Sequence, residues 1–136
     1  MTVTLEEGAR ELGIELDAGQ VAKLLAHLDL MDEWGAKMNL TAIRERPQQV
    51  TKHLLDSLAV QPFIEGHSVL DVGSGAGLPG IPLAITSPQR RFVLLDSNGK
   101  KTRFLTQAKI DLKLANIEVV HGRVEDYQHH EPFDVI

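Results

Sequence analysis

The chain contains no cysteine. That excludes a disulfide framework and any zinc or iron–sulfur centre held by thiolates. Aromatic residues are scarce, at 4% of the chain with a single tryptophan and a single tyrosine. No apolar run approaches the roughly 18 residues a membrane helix needs. The stretch from Met1 to Gly13 carries Glu6, Glu7, Glu11 and Arg10, without the basic and apolar regions of a secretory signal. These absences point to a soluble, cytoplasmic protein with no membrane contact. An excess of positive charge is lacking too. The formal net charge is −5, which weighs against a broad nucleic-acid-binding surface.

What is present suits one globular domain of 136 residues, 43% of them hydrophobic. No repeat or low-complexity tract interrupts it, but its character changes near Pro62. Before that point apolar residues follow a helical period. Thr4-Leu5-Glu6-Glu7 has the form of a capping box and predicts a short helix stopped at Gly13. Asp17 offers a second N-cap. Val21, Leu24, Leu25, Leu28, Met31 and Trp34 then make one apolar stripe, with the helix expected to end at Gly35. Pro47 suits the first turn of a third helix, with Val50, Leu54, Leu55 and Leu58 inward and Pro62 ending it.

After Pro62, strands alternate with helices. Ser68–Val72, Arg91–Asp96 and Ile117–Val120 read as strands, Ile81–Thr86 and Lys100–Leu114 as helices, and Phe133–Ile136 as the start of a fourth strand. Such alternation predicts an α/β fold with a parallel sheet and helices on both faces. Right-handed crossovers give the order 3-2-1, with the fourth strand beside the first, 3-2-1-4. The ligand crevice then lies beyond the carboxyl ends of strands one and four.

The most informative stretch is Asp71-Val72-Gly73-Ser74-Gly75-Ala76-Gly77-Leu78-Pro79-Gly80. Gly75 to Gly80 formally satisfies the dinucleotide fingerprint G-x-G-x-x-G. The strand, however, ends near Gly73, which makes Gly73, Gly75 and Gly77 the turn glycines. The pattern acid-x-Gly-x-Gly-x-Gly resembles motif I of class I S-adenosylmethionine-dependent methyltransferases. Asp96, ending the second strand, suits ribose hydroxyls in either reading. Asp71 favours the methyltransferase, because a dinucleotide-binding strand is usually apolar there.

The flanking residues narrow the resemblance. Asn39-Leu40-Thr41, His53-Leu54-Leu55-Asp56-Ser57-Leu58, the loop continuing into Ile81-Pro82, Leu94-Leu95-Asp96-Ser97, Lys100-Lys101, Phe104-Leu105 and Arg123-Val124-Glu125 are together similar to the GidB/RsmG family. The resemblance covers essentially the whole chain. It implies a class I, Rossmann-like methyltransferase, with residues 1–62 as an N-terminal helical extension and 63–136 as the N-terminal half of the methyltransferase domain. It implies S-adenosylmethionine as cofactor, bound at Gly73, Ser74, Gly75, Gly77, Leu78 and Asp96, with Val124 and Glu125 near the adenine. It implies methylation of guanine N7 in 16S ribosomal RNA, within the small ribosomal subunit. Members of that family continue past the fourth strand, so the later strands are expected to be absent here and the chain to be a C-terminally truncated form.

Several residues carry two readings. His53 and Asp56, at i and i+3, either hold the helical extension to the glycine loop or form a local helix-surface pair. Lys37, Arg44, Arg46, Lys52, Lys100, Lys101, Arg103 and Arg123 are available for phosphates, or form solvated faces. Trp34 and Phe63 could stack a base but suit the core better. Glu125 and Asp71 are loose candidates for stabilising charge on a methylated guanine, and no general base is expected. His129 and His130, adjacent in sequence, do not suit one tetrahedral metal, and no metal is expected. The competing functions are an S-adenosylmethionine-binding module without activity, a dinucleotide-dependent oxidoreductase and a small-molecule methyltransferase.

Overall fold

The computed structural model describes residues 4–38, 43, 45–127, 133 and 134. Thr4 caps α1 (Leu5–Glu11), its Oγ1 accepting the Glu7 N–H at 3.1 Å. Gly13, at φ +82°, turns the chain away. Asp17 and Gln20 then cap each other's backbone, at 2.8 and 2.9 Å, ahead of α2 (Ala18–Met38). This helix runs past Gly35, where an end was expected. A glycine stops a helix by turning left-handed, and Gly35 does not.

The third helical segment is continuous but irregular. It comprises α3 (Arg46–Gln49), a π-helical stretch (Val50–Leu55) and α4 (Asp56–Leu58). The wider π turns keep Val50, Leu54 and Leu58 buried. Pro62 sits in a single 3-10 turn, Gln61–Phe63, that closes the helical part.

The sheet contains β1 (Ser68–Val72), β2 (Arg91–Asp96) and β3 (Ile117–His121), all parallel, in the order 3-2-1. Its register pairs Asp71 with Leu94 and Asp96 with His121. Helix α5 (Gly80–Thr86) joins the first two strands and α6 (Gly99–Leu112) the last two. Asn98 caps α6 by accepting the Lys100 and Lys101 N–H groups. Left-handed Lys113 ends it, two residues earlier than expected, while Leu114 N–H reaches back to the Lys109 carbonyl at 3.0 Å. The expected fourth strand lies mostly outside the described residues. Asp134 within it donates its N–H to the Ser68 carbonyl at 3.1 Å, at the edge of β1 away from β2.

Helices were expected on both faces of the sheet, but the described ones cover a single face. Phe92 and Leu94 point to that face, into a core shared by α5, α6 and the N-terminal helices. Val93 and Leu95 point to the other, where Leu70, Val120, Tyr127 and Phe133 pack. The reason is directional. Both crossovers step the same way across the sheet, and a right-handed crossover that keeps its direction keeps its face.

Helix α2 forms a third layer on the backs of α5 and α6. Leu24, Leu28 and Met31 are fully buried there, and Trp34 meets Phe104 edge-on at 5.7 Å. The helical part and the sheet thus share one core. Truncating Leu28 to alanine is expected to cost about 2–5 kcal/mol.

Candidate functional site

The loop between β1 and α5 lies at the carboxyl ends of the strands. Gly73, Gly75 and Gly77 have φ of +72°, +56° and +83°, a region that disfavours any side chain. At Gly73 an added Cβ would meet nothing within 4 Å. At Gly75 it would meet only the Gly73 carbonyl, at 3.8 Å. These two positions therefore face open space, while Gly77 is packed so closely that a Cβ would overlap Ile81 and crowd Leu105. Gly80 is needed for a different reason. It lies inside α5 against β1 and β2, where a Cβ would strike Leu94 and the Asp71 carboxylate.

The N–H groups of Gly73, Ser74, Gly75, Gly77 and Gly80 are engaged within the protein. Gly73 and Ser74 N–H reach the Leu95 carbonyl at 2.7 and 3.3 Å, and Gly77 N–H reaches the Ser74 carbonyl at 2.8 Å. Gly75 N–H donates to Asp96 Oδ2 at 2.9 Å, and Gly80 N–H to Asp71 Oδ2 at 3.1 Å. Ser74 is buried, its hydroxyl donating to the Asp71 carbonyl at 2.9 Å. Leu78 is half-buried against the main core.

Asp96 is 8% exposed. Its second oxygen accepts the Asn98 N–H at 2.8 Å. A carboxylate has about four lone-pair directions, so both oxygens retain acceptor capacity. Asp71 is half-buried under α5. Burial pushes its carboxyl up to about 6, against the lowering effect of the Gly80 N–H.

One anchor was not anticipated from sequence. His27, on α2, is fully buried, and its Nε2 lies 2.8 Å from the Ala76 carbonyl. A carbonyl only accepts, so Nε2 carries the proton and Nδ1 is bare. Nδ1 has no partner among the described residues. Burial pulls His27 down to about 4, which keeps it neutral. His27 therefore ties the helical extension to the loop, the role considered for His53. His53 lies instead in the π-helical stretch, where burial lowers its pKa and the charges of Asp32 and Asp56 oppose that. A histidine that falls on the apolar stripe of α2, between Leu24 and Leu28, was the only signal available.

The remaining candidates are dispersed. Val124 and Glu125 sit on an exposed 3-10 turn, Val124–Asp126, beyond β3. Gly122, just before it, donates to the Asp96 carbonyl at 3.0 Å, which sets the turn at the same end of the sheet as the loop. Arg46 is engaged through one nitrogen by Asp29 and Asp32. Lys100 and Arg103 are exposed on the first turns of α6. Phe63, expected in the core, is 82% exposed, because the 3-10 turn carries it past the end of the helix. Asn39-Leu40-Thr41, Arg44, His129 and His130, and the Lys37 side chain, lie outside the described residues. No cluster of three or more metal-ligating side chains forms among the described residues.

This arrangement suits one kind of ligand. A dinucleotide's pyrophosphate needs free N–H groups at the helix N-terminus, and here those of Gly73, Ser74, Gly75, Gly77 and Gly80 are taken, with the Asp71 carboxylate on the Gly80 N–H at the start of α5. Two acids hold the loop, Asp96 at Gly75 and Asp71 at Gly80. A ligand with hydroxyl donors and positive charge matches them, whereas phosphate would be repelled. Sheet order, loop and acids together define an α/β unit of the class I methyltransferase type.

Sequence comparison narrows that class. The GidB family, described as rRNA small subunit methyltransferase G, matches residues 20–136, and the chain belongs to that family. It is 61% identical over 134 residues to the ribosomal RNA small subunit methyltransferase G of Ectopseudomonas mendocina, covering 97% of this chain and 63% of that protein. Its counterparts in Pseudomonas syringae pv. syringae and Pseudomonas aeruginosa are 58% and 57% identical, each covering 97% of this chain and 62% of the relative. The chain thus spans about 62–63% of the length of these relatives. Among the described residues no helix is long and apolar enough to cross a membrane.

Proposed function

We propose that this chain supplies the cofactor-binding part of an S-adenosylmethionine-dependent methyltransferase acting on guanine N7 in 16S ribosomal RNA, within the small ribosomal subunit and in the cytoplasm. One observation carries the reading. The glycine loop presents open space at Gly73 and Gly75 beside the Asp96 carboxylate, with the N–H groups of both glycines already engaged. The relatives' names support an rRNA substrate.

In this reading Gly73, Ser74, Gly75, Gly77 and Leu78 shape the cradle. Asp96 accepts the ribose hydroxyls, and Val124 and Glu125 flank the adenine. Residues 1–62 form the helical extension and residues 63–136 the N-terminal half of the methyltransferase domain. When bound, S-adenosylmethionine supplies a methyl group on a sulfonium centre, activated without help from the protein. Guanine N7 offers a lone pair and has no proton to lose, so no side chain is needed as a base. The protein's task is placement, which can lower a barrier by several kcal/mol. Asp71 and Asp96 leave the cradle acidic, which suits a cationic sulfonium.

Calorimetric titration of the chain with S-adenosylmethionine, with NAD as control and Asp96→Ala alongside, tests this. Binding of S-adenosylmethionine alone, weakened in Asp96→Ala, is the expected result. It would justify assaying methyl transfer to small subunits that lack the modification. Binding of NAD instead would overturn the reading.

A further inference from the structure

The cations of this acidic chain are unevenly placed. Helix α6 and its cap carry Lys100, Lys101, Arg103, Lys109 and Lys113 against a single acid, Asp111. Among the described residues none of these five forms a salt bridge, whereas Arg10, Arg46 and Arg91 are each paired with carboxylates. A net charge is a sum over the whole surface, but a phosphate senses charge within a Debye length of roughly 10 Å. Locally, α6 is a basic element, with Lys100, Lys101 and Arg103 in its first two turns, on a protein of net charge −5.

Beside this helix lies a cleft of about 380 Å³ between α2, α6 and β3, walled by Trp34, Arg103, Thr106, Gln107, Val119 and His121. Part of its lining is apolar, from Val119 and the half-buried indole that Phe104 meets edge-on at 5.7 Å. The rest is polar, with a guanidinium, a hydroxyl, an amide and an imidazole. An aromatic ring beside hydrogen-bonding groups matches the chemistry of a nucleobase. His121 is the register partner of Asp96, so the cleft opens at the same end of the sheet as the glycine loop.

We propose that this cleft seats an unpaired nucleotide of the RNA substrate, its base against Trp34 and the adjoining phosphates on Arg103, Lys100 and Lys101. The inference rests on the RNA-modifying reading above and adds where the strand lies. The substrate strand then runs along α6, past the amino end of that helix, toward the cradle. Single-stranded RNA is required, because a base stacked in a duplex cannot enter.

Trp34 is the only tryptophan in the chain, so intrinsic fluorescence reports on the cleft directly. The chain is titrated with a short mixed-sequence single-stranded oligoribonucleotide, with a duplex of equal length, and with S-adenosylmethionine. Quenching by the single strand, weaker by the duplex and absent with the cofactor, is expected. With labelled RNA, Trp34→Leu should weaken binding roughly tenfold, the loss of one stacked base. Arg103→Gln should weaken it and lower the slope of affinity against salt by about one. Both variants should keep their S-adenosylmethionine affinity. Thr106→Glu, at an exposed rim position, serves if Trp34→Leu does not fold, and should also weaken RNA binding. No RNA binding, RNA binding without quenching, RNA binding insensitive to the Trp34 and rim variants, or quenching by the cofactor alone would each overturn the proposal. Failure of the methyltransferase reading shows separately, as absent S-adenosylmethionine binding in calorimetry.

Discussion

The glycine loop is held from two sides by different means. On the sheet side two carboxylates, Asp71 and Asp96, grip the N–H groups of Gly80 and Gly75. On the helical side a neutral histidine from α2 grips the Ala76 carbonyl. The first hold is local, made by strand ends that the loop itself connects. The second joins residues 49 positions apart and exists only because α2 packs on α5 and α6. Backbone donors are held by carboxylate acceptors and a backbone acceptor by an imidazole N–H donor, so every hold matches the polarity of its partner. The sheet-side hold also faces the open glycines, where a ligand can compete for it or share it. The helical hold is buried and sets only the loop's shape.

The largest expected effect tests that difference. Asp96→Ala removes an acceptor from two backbone N–H groups and from any ligand hydroxyl. Charge-assisted bonds of this kind contribute roughly 1.5–3 kcal/mol each, so affinity for S-adenosylmethionine should fall by about tenfold to a hundredfold. Asp96→Asn, which keeps one acceptor, should fall less. Calorimetry that found Asp96→Ala binding as the parent does would place the ligand away from the sheet side.

The sheet side was legible in the sequence because its information is contiguous. Alternating strands and helices, the glycine spacing and an acid at or near the end of the first two strands are local patterns, and the three strands follow the expected order and positions. The choice of Gly73, Gly75 and Gly77 over the dinucleotide register agrees with their positive φ. The helical side was less legible. The stripe of α2 was readable, but a histidine inside an apolar stripe looks the same whether it holds a loop or merely fills the core. The π-helical stretch at Val50–Leu55 leaves no local mark, since it is selected by packing of Val50, Leu54 and Leu58. The single-faced sheet followed from crossover direction, which the order 3-2-1 already contained.

The next effect separates the holds by pH. His27 stays neutral down to about 4 when folded, but in the unfolded chain it takes a proton near 6.5. The unfolded state therefore binds more protons in this window. The stability His27 contributes is complete above pH 6.5 and is lost as pH falls toward 4, by up to about 3 kcal/mol. His27→Phe keeps the packing against Phe104 and abolishes that loss. It should also loosen the Ala76 carbonyl and weaken S-adenosylmethionine binding by about threefold to tenfold, the net worth of one hydrogen bond. Denaturant unfolding at pH 7, 6, 5 and 4 on both proteins gives the comparison. A parent and variant that lose stability in parallel would assign the acid sensitivity elsewhere.

Asp71 should act in the opposite sense and by less. Its folded carboxyl is raised to about 6, so here the folded state binds more protons between pH 4 and 6. The favourable contribution is present below pH 4 and is lost as pH rises through 6. Part of the group reaches solvent, so the effect is on the order of 1 kcal/mol after screening. Asp71→Asn keeps an oxygen for the Gly80 N–H and removes the buried charge. It should be more stable than the parent at pH 8 and lose that advantage by pH 4. In the parent the slopes of His27 and Asp71 partly cancel between pH 4 and 6, while each variant exposes the slope of the other residue. Unfolding curves for both variants and the parent over that range would therefore return two opposed differences. Differences of the same sign would mean that the two sides of the loop do not titrate independently.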